Sequence, residues 1–258
     1  MQNYFDFSGK IVLVTGASSG IGRATAEFFG ACGASVAVHF HNNQAGAEAA
    51  AATINEAAGT GRAITVRANV IHTAEILEMV REVEEKLGPV DILVNNAGSL
   101  VERLRTLELN ESRWDEVIDL NVKSAFFASQ AVIPKMLEKG SGVIVNTTSI
   151  AARNGGAPGS IHYSSGKAAI LTMTKGMAKE FAAQGIRINA VSPGVIDTPF
   201  HEIFSTPEAM KNFAQNIIPM GRVGRSSEVA TVIGFLASDA ASYLCGETIE
   251  VNGGMLMD

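Results

Sequence analysis

The feature that most limits the fold of this 258-residue chain is an alternation. Seven short runs rich in β-branched residues (Ile11–Val14, Val36–Phe40, Ala63–Val66, Ile92–Val94, Val143–Asn146, Ile188–Val191 and Thr248–Val251) are separated by longer stretches with helical periodicity. Runs this short and apolar predict strands of a parallel sheet covered by helices on both faces. Right-handed crossovers make that a doubly wound α/β sheet of Rossmann type, whose ligand crevice lies at the carboxyl ends of the strands. No repeat, low-complexity tract or linker divides the chain, so one domain over 1–258 is expected. Within it, residues 193–225 carry Pro193, Pro199, Pro207 and Pro219 with Gly194, Gly221 and Gly224, and read as a substrate lid. Met210, Phe213 and Ile217 recur there at roughly helical spacing, lining a pocket or packing on the body.

Composition narrows the partners. A net charge of -6 gives no general attraction for phosphate backbones or anionic lipid, so neither nucleic acid nor membrane is expected. Residues 28–47 lack formal charge, but Gly30, Gly33 and the polar cluster at 39–43 interrupt them, which argues against a membrane span. The N-terminal stretch 1–10 lacks the basic-then-apolar layout of a signal peptide, and a cytoplasmic location is expected. Cys32 and Cys245 lie far apart, and the histidines offer no second ligand pair, so no metal is expected.

After the first strand comes Thr15-Gly16-Ala17-Ser18-Ser19-Gly20-Ile21-Gly22, followed by a helix-forming run. Strand, glycine turn and helix start are the parts of a pyrophosphate site, because glycine permits close backbone approach and helical N–H groups face the anion. The glycine spacing is three residues and then one. Together with Asn95-Asn96-Ala97-Gly98, Ser149, Tyr163-x-x-x-Lys167 and Pro193-Gly194, in that order, it resembles the short-chain dehydrogenase/reductase family, from Gly9 to Gly254. The resemblance implies a nicotinamide cofactor held by Gly16, Ser18, Ser19, Gly20, Ile21, Gly22, Phe40, His41, Asn42, Asn69, Val70, Asn96, Ala97, Gly98, Tyr163, Lys167, Pro193, Gly194, Val195, Ile196 and Thr198. NADP(H) is favoured over NAD(H), since Phe40 stands where NAD enzymes usually place an acid and no Asp or Glu occurs between Glu27 and Glu48. No Arg or Lys lies between Arg23 and Arg62 either, leaving His41, Asn42 and the loop serines as partners for a 2′-phosphate.

Tyr163 and Lys167 stand four apart in a helical stretch and share a face. Lowering a phenol's pKa by ~3 units takes about 4 kcal/mol. A cation about 4 Å away supplies roughly that at an effective dielectric near 20. By resemblance, Ser149 bonds the substrate oxygen, Tyr163 exchanges its proton, Lys167 also holds the nicotinamide ribose, and Asn121 holds a water that links Lys167 to solvent. Interconversion of a secondary alcohol and a carbonyl by hydride transfer follows.

Substrate identity stays open. Leu100, Val101, Phe200 and Phe204 suit a 3-oxoacyl thioester or related ketone; Arg153, Asn154, His162 and His201 suit a sugar or polyol. A carrier protein, being acidic, would meet only Lys135, Lys139, Lys175 and Lys179. A nucleotide-sensing regulator without turnover is the alternative of another class. The resemblance also implies a homotetramer, for which the stretch from Glu111 to Lys139 offers Phe126, Phe127, Val132 and Ile133 as apolar surface, with Trp114 as packing or subunit contact.

Overall fold

The computed structural model describes residues 4–58 and 61–257, so the first three residues of the N-terminal stretch read above lie outside it. In chain order the elements are β1 (Ile11–Val14), α1 (Gly20–Ala31), β2 (Ser35–Phe40), α2 (Gln44–Ala58), β3 (Ala63–Arg67), α3 (Thr73–Lys86) and β4 (Ile92–Asn95). Then come α4 (Glu111–Ile118), a π turn at Asp119–Lys123, α5 (Ser124–Lys139), β5 (Gly142–Thr147), α6 (Ala151–Asn154), α7 (Ile161–Phe181) and β6 (Ile186–Pro193). The remainder is β7 (Ile196–Asp197), α8 (Pro199–Phe204), α9 (Pro207–Asn212), a second π turn at Phe213–Ile217, β8 (Gly224–Arg225), α10 (Ser226–Ala237) and β9 (Thr248–Val251).

Seven strands form one parallel sheet in the order β3-β2-β1-β4-β5-β6-β9, while β7 and β8 pair separately. Side chains alternate along each strand, and both faces are apolar. Val12, Val14, Val36, Val38, Ile92 and Val94 pack with Phe29, Ile54 and Ile233 from α1, α2 and α10. Leu13, Ala37, Leu93, Ile144 and Ile188 pack with Ile76, Val132, Met136 and Met177 from α3, α5 and α7. The two half-buried cysteines belong to opposite faces. The strand order reverses between β1 and β4, and that switch point opens the crevice at the carboxyl ends.

Two details correct the reading of 111–139 as one uninterrupted stretch with a wet apolar face. It is a helical rod broken by a π turn, in which Asn121 sits. Val132 and Ile133 are buried in the sheet face, so the apolar residues left uncovered are Phe126 and Leu137, with Trp114 in α4.

Candidate active site

A cleft of about 640 Å³ lies along the carboxyl ends of the strands, within the size range of small-molecule sites, roughly 300–1,000 Å³. At its cofactor end the loop after β1 turns through Gly16, at φ 63. A Cβ on Gly22 would stand 2.2 Å from Gly16 O, so only glycine lets α1 begin this close to the loop. Asn96 Nδ2 donates to Thr15 O and Gly16 O at 3.0 and 3.1 Å. Thr15 Oγ1 accepts from Asn96 N and Ala97 N, both at 3.0 Å. Ser19 makes no side-chain cap, which leaves the first N–H groups of α1 to an anion. Gly16, Ser18, Ser19, Gly20 and Ile21 line the cleft; Gly22 does not, and acts as the close-approach point behind the loop.

Phe40, His41, Asn42, Asn69 and Val70 line the same end, followed by Asn96, Ala97 and Gly98 after β4. Two residues that sequence reasoning missed belong here. His39, 2% exposed, accepts from Gly16 N at Nδ1 (2.9 Å), and its Nε2 lies 3.1 Å from Ala68 O. Those partners require the Nε2–H tautomer. Burial pulls its pKa down to about 4, which keeps the ring neutral. Arg67 is the second: it does not line the cleft, but parallel register sets it opposite Phe40, and its Nε donates to His41 O at 3.3 Å. A search along the chain between residues 23 and 62 passes it by, because it approaches His41 across the β2–β3 ladder.

At the reacting end, Ser149 follows β5, while Tyr163 and Lys167 project from one face of α7. Lys167 Nζ lies 5.7 Å from the centre of the Tyr163 ring and donates to Thr147 O at 2.9 Å. The protein groups alone do not hold the phenol near neutrality. Burial pushes Tyr163 up to about 12, with the Ser149 hydrogen bond working against it, and burial pulls Lys167 down to about 8. The expected lowering by the ammonium is not found: desolvation dominates, and only the Ser149 hydrogen bond opposes it.

Asn121 does not line the cleft. It is buried behind Gly98, its Nδ2 donating to Ser99 O and Val117 O at 2.8 Å each, its Oδ1 without a protein partner among the described residues. A Cβ at Gly98 would stand 2.5 Å from that Oδ1 and 3.0 Å from Lys167 Nζ. The glycine loop, the uncapped α1 and the close approach that Gly98 permits fit a dinucleotide laid from β2 to Lys167.

Pro193, Gly194, Val195, Ile196 and Thr198 close the cleft on the β6 side. Of the pocket candidates, Leu100, Asn154, Phe200, His201 and Phe213 line it; Val101, Phe204, Met210 and Ile217 do not. His162 is buried and bonds Glu102 O, and Arg153 pairs with Glu250. Phe200 packs 5.7 Å from Tyr163, ring to ring.

Comparison with known proteins agrees with this arrangement. A family profile described as Enoyl-(Acyl carrier protein) reductase matches residues 16–256. The chain is 41% identical over 250 residues to a 3-oxoacyl-(acyl-carrier-protein) reductase of Thermotoga maritima, covering 96% of this chain and 98% of that one. It is 42% identical over 248 residues to the enzyme of that name from Staphylococcus epidermidis, covering 96% and 99%. A solved short-chain dehydrogenase/reductase from Brucella melitensis, titled glucose/ribitol dehydrogenase, superposes with a TM-score of 0.90 at 33% identity over 99% of this chain and 100% of that one.

Proposed function

Because the chain belongs to the short-chain dehydrogenase/reductase family, whose members interconvert CH–OH and carbonyl groups, we propose that it reduces the ketone of a 3-oxoacyl thioester with NADPH. The bound cofactor supplies the hydride. The chain's own residues do the rest. Ser149 donates a hydrogen bond to the ketone oxygen, and Tyr163 gives that oxygen its proton as the carbonyl carbon takes up hydride. Lys167 restores the proton to the phenolate and grips the nicotinamide ribose. Asn121, with its partnerless Oδ1 across Gly98 from the ammonium, holds the water that connects Lys167 to solvent.

The observation that carries the reading is the meeting of Ser149, Tyr163 and Lys167 at one wall of the cleft. A phenol raised toward 12 is fully protonated at neutral pH, the state that reduction needs. Oxidation would first require the positive charge of an oxidised nicotinamide to draw the pKa down.

NADPH is favoured over NADH by Phe40, which offers no acceptor to a ribose hydroxyl, and by Arg67, whose guanidinium lies beside His41. The candidate helices offer an acidic carrier protein little free positive charge. Lys135 is engaged with Glu138 and Lys139 with Asp91, leaving only Lys175 and Lys179 of the four candidate cations without an acid partner among the described residues. Residues 193–225 serve as the lid, and the active form is a cytoplasmic homotetramer. Asn154 and His201 in the lining favour a sugar or polyol as the second reading.

Following reduced-nicotinamide absorbance across acetoacetyl thioesters, keto esters, aldoses and polyols with both cofactors tests the proposal. Fastest turnover of a 3-oxo thioester with NADPH is expected. Fastest turnover of a polyol, or a preference for NADH, contradicts it, and cofactor binding without any turnover supports a nucleotide sensor instead.

A further inference from the structure

Between β4 and α4 the chain makes the one non-glycine left-handed turn among the described residues, at Val101 with φ 64. For a β-branched residue that conformation is strained, and such strain persists only where the surroundings over-determine it. They do so here. Glu102 O bonds His162 Nε2 at 3.1 Å, Leu104 N donates to Gly159 O at 3.1 Å, and the Glu102 carboxylate pairs with Arg113 at 3.2 Å. The residue that this clamped turn delivers to the cleft wall is Arg103.

Arg103 Nε donates to Phe204 O, at the end of α8, at 3.0 Å, and Nη1 to Pro158 O at 3.5 Å. Nη2 has no protein partner among the described residues, and no Asp or Glu pairs with the guanidinium. Neutral carbonyl partners leave its charge uncompensated. Among the described residues no Asp or Glu lines the cleft, and the only other Lys or Arg that does is Lys167, already bonded to Thr147 O. A chain of contacts links Arg103 to Tyr163: Arg103 bonds the Phe204 carbonyl, the Phe204 ring lies 4.8 Å from that of Phe200, and Phe200, which lines the cleft, lies 5.7 Å from Tyr163.

We propose that Arg103 is a specificity-determining anion receptor, selecting ketones that carry a carboxylate or phosphate remote from the reacting carbonyl. The proposal rests on the reductase reading of Tyr163. Arg103 is exposed where it lines the cleft, and a planar guanidinium with a free edge matches either anion in charge-assisted bonds stronger than neutral ones. The competing role, a tie between α8 and the loop before α7, makes a different prediction: it would affect every substrate alike.

Two matched pairs separate these roles and identify the source of the anion: acetoacetyl-pantetheine against acetoacetyl-4′-phosphopantetheine, and methyl levulinate against levulinate. Steady-state KM and kcat with NADPH are measured for wild type, R103Q and R103K. In at least one pair, wild type should show a KM about tenfold lower for the anionic member, the scale of one charge-assisted bond. R103Q should bring the KM ratio within that pair close to one, with R103K restoring part of it. Calorimetric titration of the same four compounds onto the NADPH-bound protein reads the preference without turnover. Charge-dependent binding that R103Q abolishes supports the proposal even if nothing is reduced, an outcome that would sink only the reductase reading. Ratios that are equal in wild type and R103Q, or no charge-dependent binding, overturn the proposal.

Discussion

At the scale of single residues, His39 shows how a fold converts an ordinary side chain into part of a site. Sequence places it on β2 with no chemical signal, because its partners, Gly16 and Ala68, come from other strand ends. Arg67 was illegible for the same reason, whereas Ser149, Tyr163, Lys167 and the loop glycines were legible because their spacing along the chain is itself the signal. His39 also gives a pH prediction. Its folded pKa of about 4 lies below the ordinary value of 6.5, so the stabilisation is fully present above pH 6.5 and is lost as pH falls through 4. The shift corresponds to about 3 kcal/mol. In His39→Asn the amide oxygen can still accept from Gly16 but does not titrate. Urea unfolding at pH 7 and pH 4.5 should therefore show wild type losing stability relative to the variant, by about 2 kcal/mol. Parallel losses in the two proteins would show that His39 is not the source.

At the scale of elements, the strands and helices follow from period-two and helical patterning, and each of the seven expected strands forms with its ends extended by at most two residues. The π turn at Asp119–Lys123 and the short β7–β8 pairing were not legible, since one extra residue in a helical turn and a two-residue ladder leave no hydrophobic period to read. Helix packing gives the prediction here. A Cβ on Gly234 of α10 would lie 2.2 Å from Phe28 Cε1 in the C-terminal half of α1. Gly234→Ala should destabilise the protein by about 1–3 kcal/mol through overpacking. Thermal unfolding followed by circular dichroism should then shift down by roughly 2–4 °C per kcal/mol. An unchanged midpoint would mean that the α1–α10 contact relaxes without cost.

For the whole molecule, the parallel sheet, two-sided core and cleft position were readable from strand alternation, the strand order was not, and a tetramer is expected only by resemblance. Trp114, Phe126, Leu137 and Ile161, on α4, α5 and α7, are each 38–44% exposed, an apolar set that association would cover. Light scattering at micromolar concentration should give a tetramer's mass, and an active monomer would contradict this. The central claim is that Tyr163 is the proton donor of an NADPH-dependent ketone reductase. Its most direct test is the rate of acetoacetyl-thioester reduction at saturating NADPH by wild type and Tyr163→Phe, with NADPH affinity read by fluorescence titration. The account predicts a loss of roughly 10²–10⁴ in kcat with little change in affinity, because the ring remains and only the proton is removed. A Tyr163→Phe enzyme that keeps a rate near wild type, while binding NADPH equally well, would contradict it.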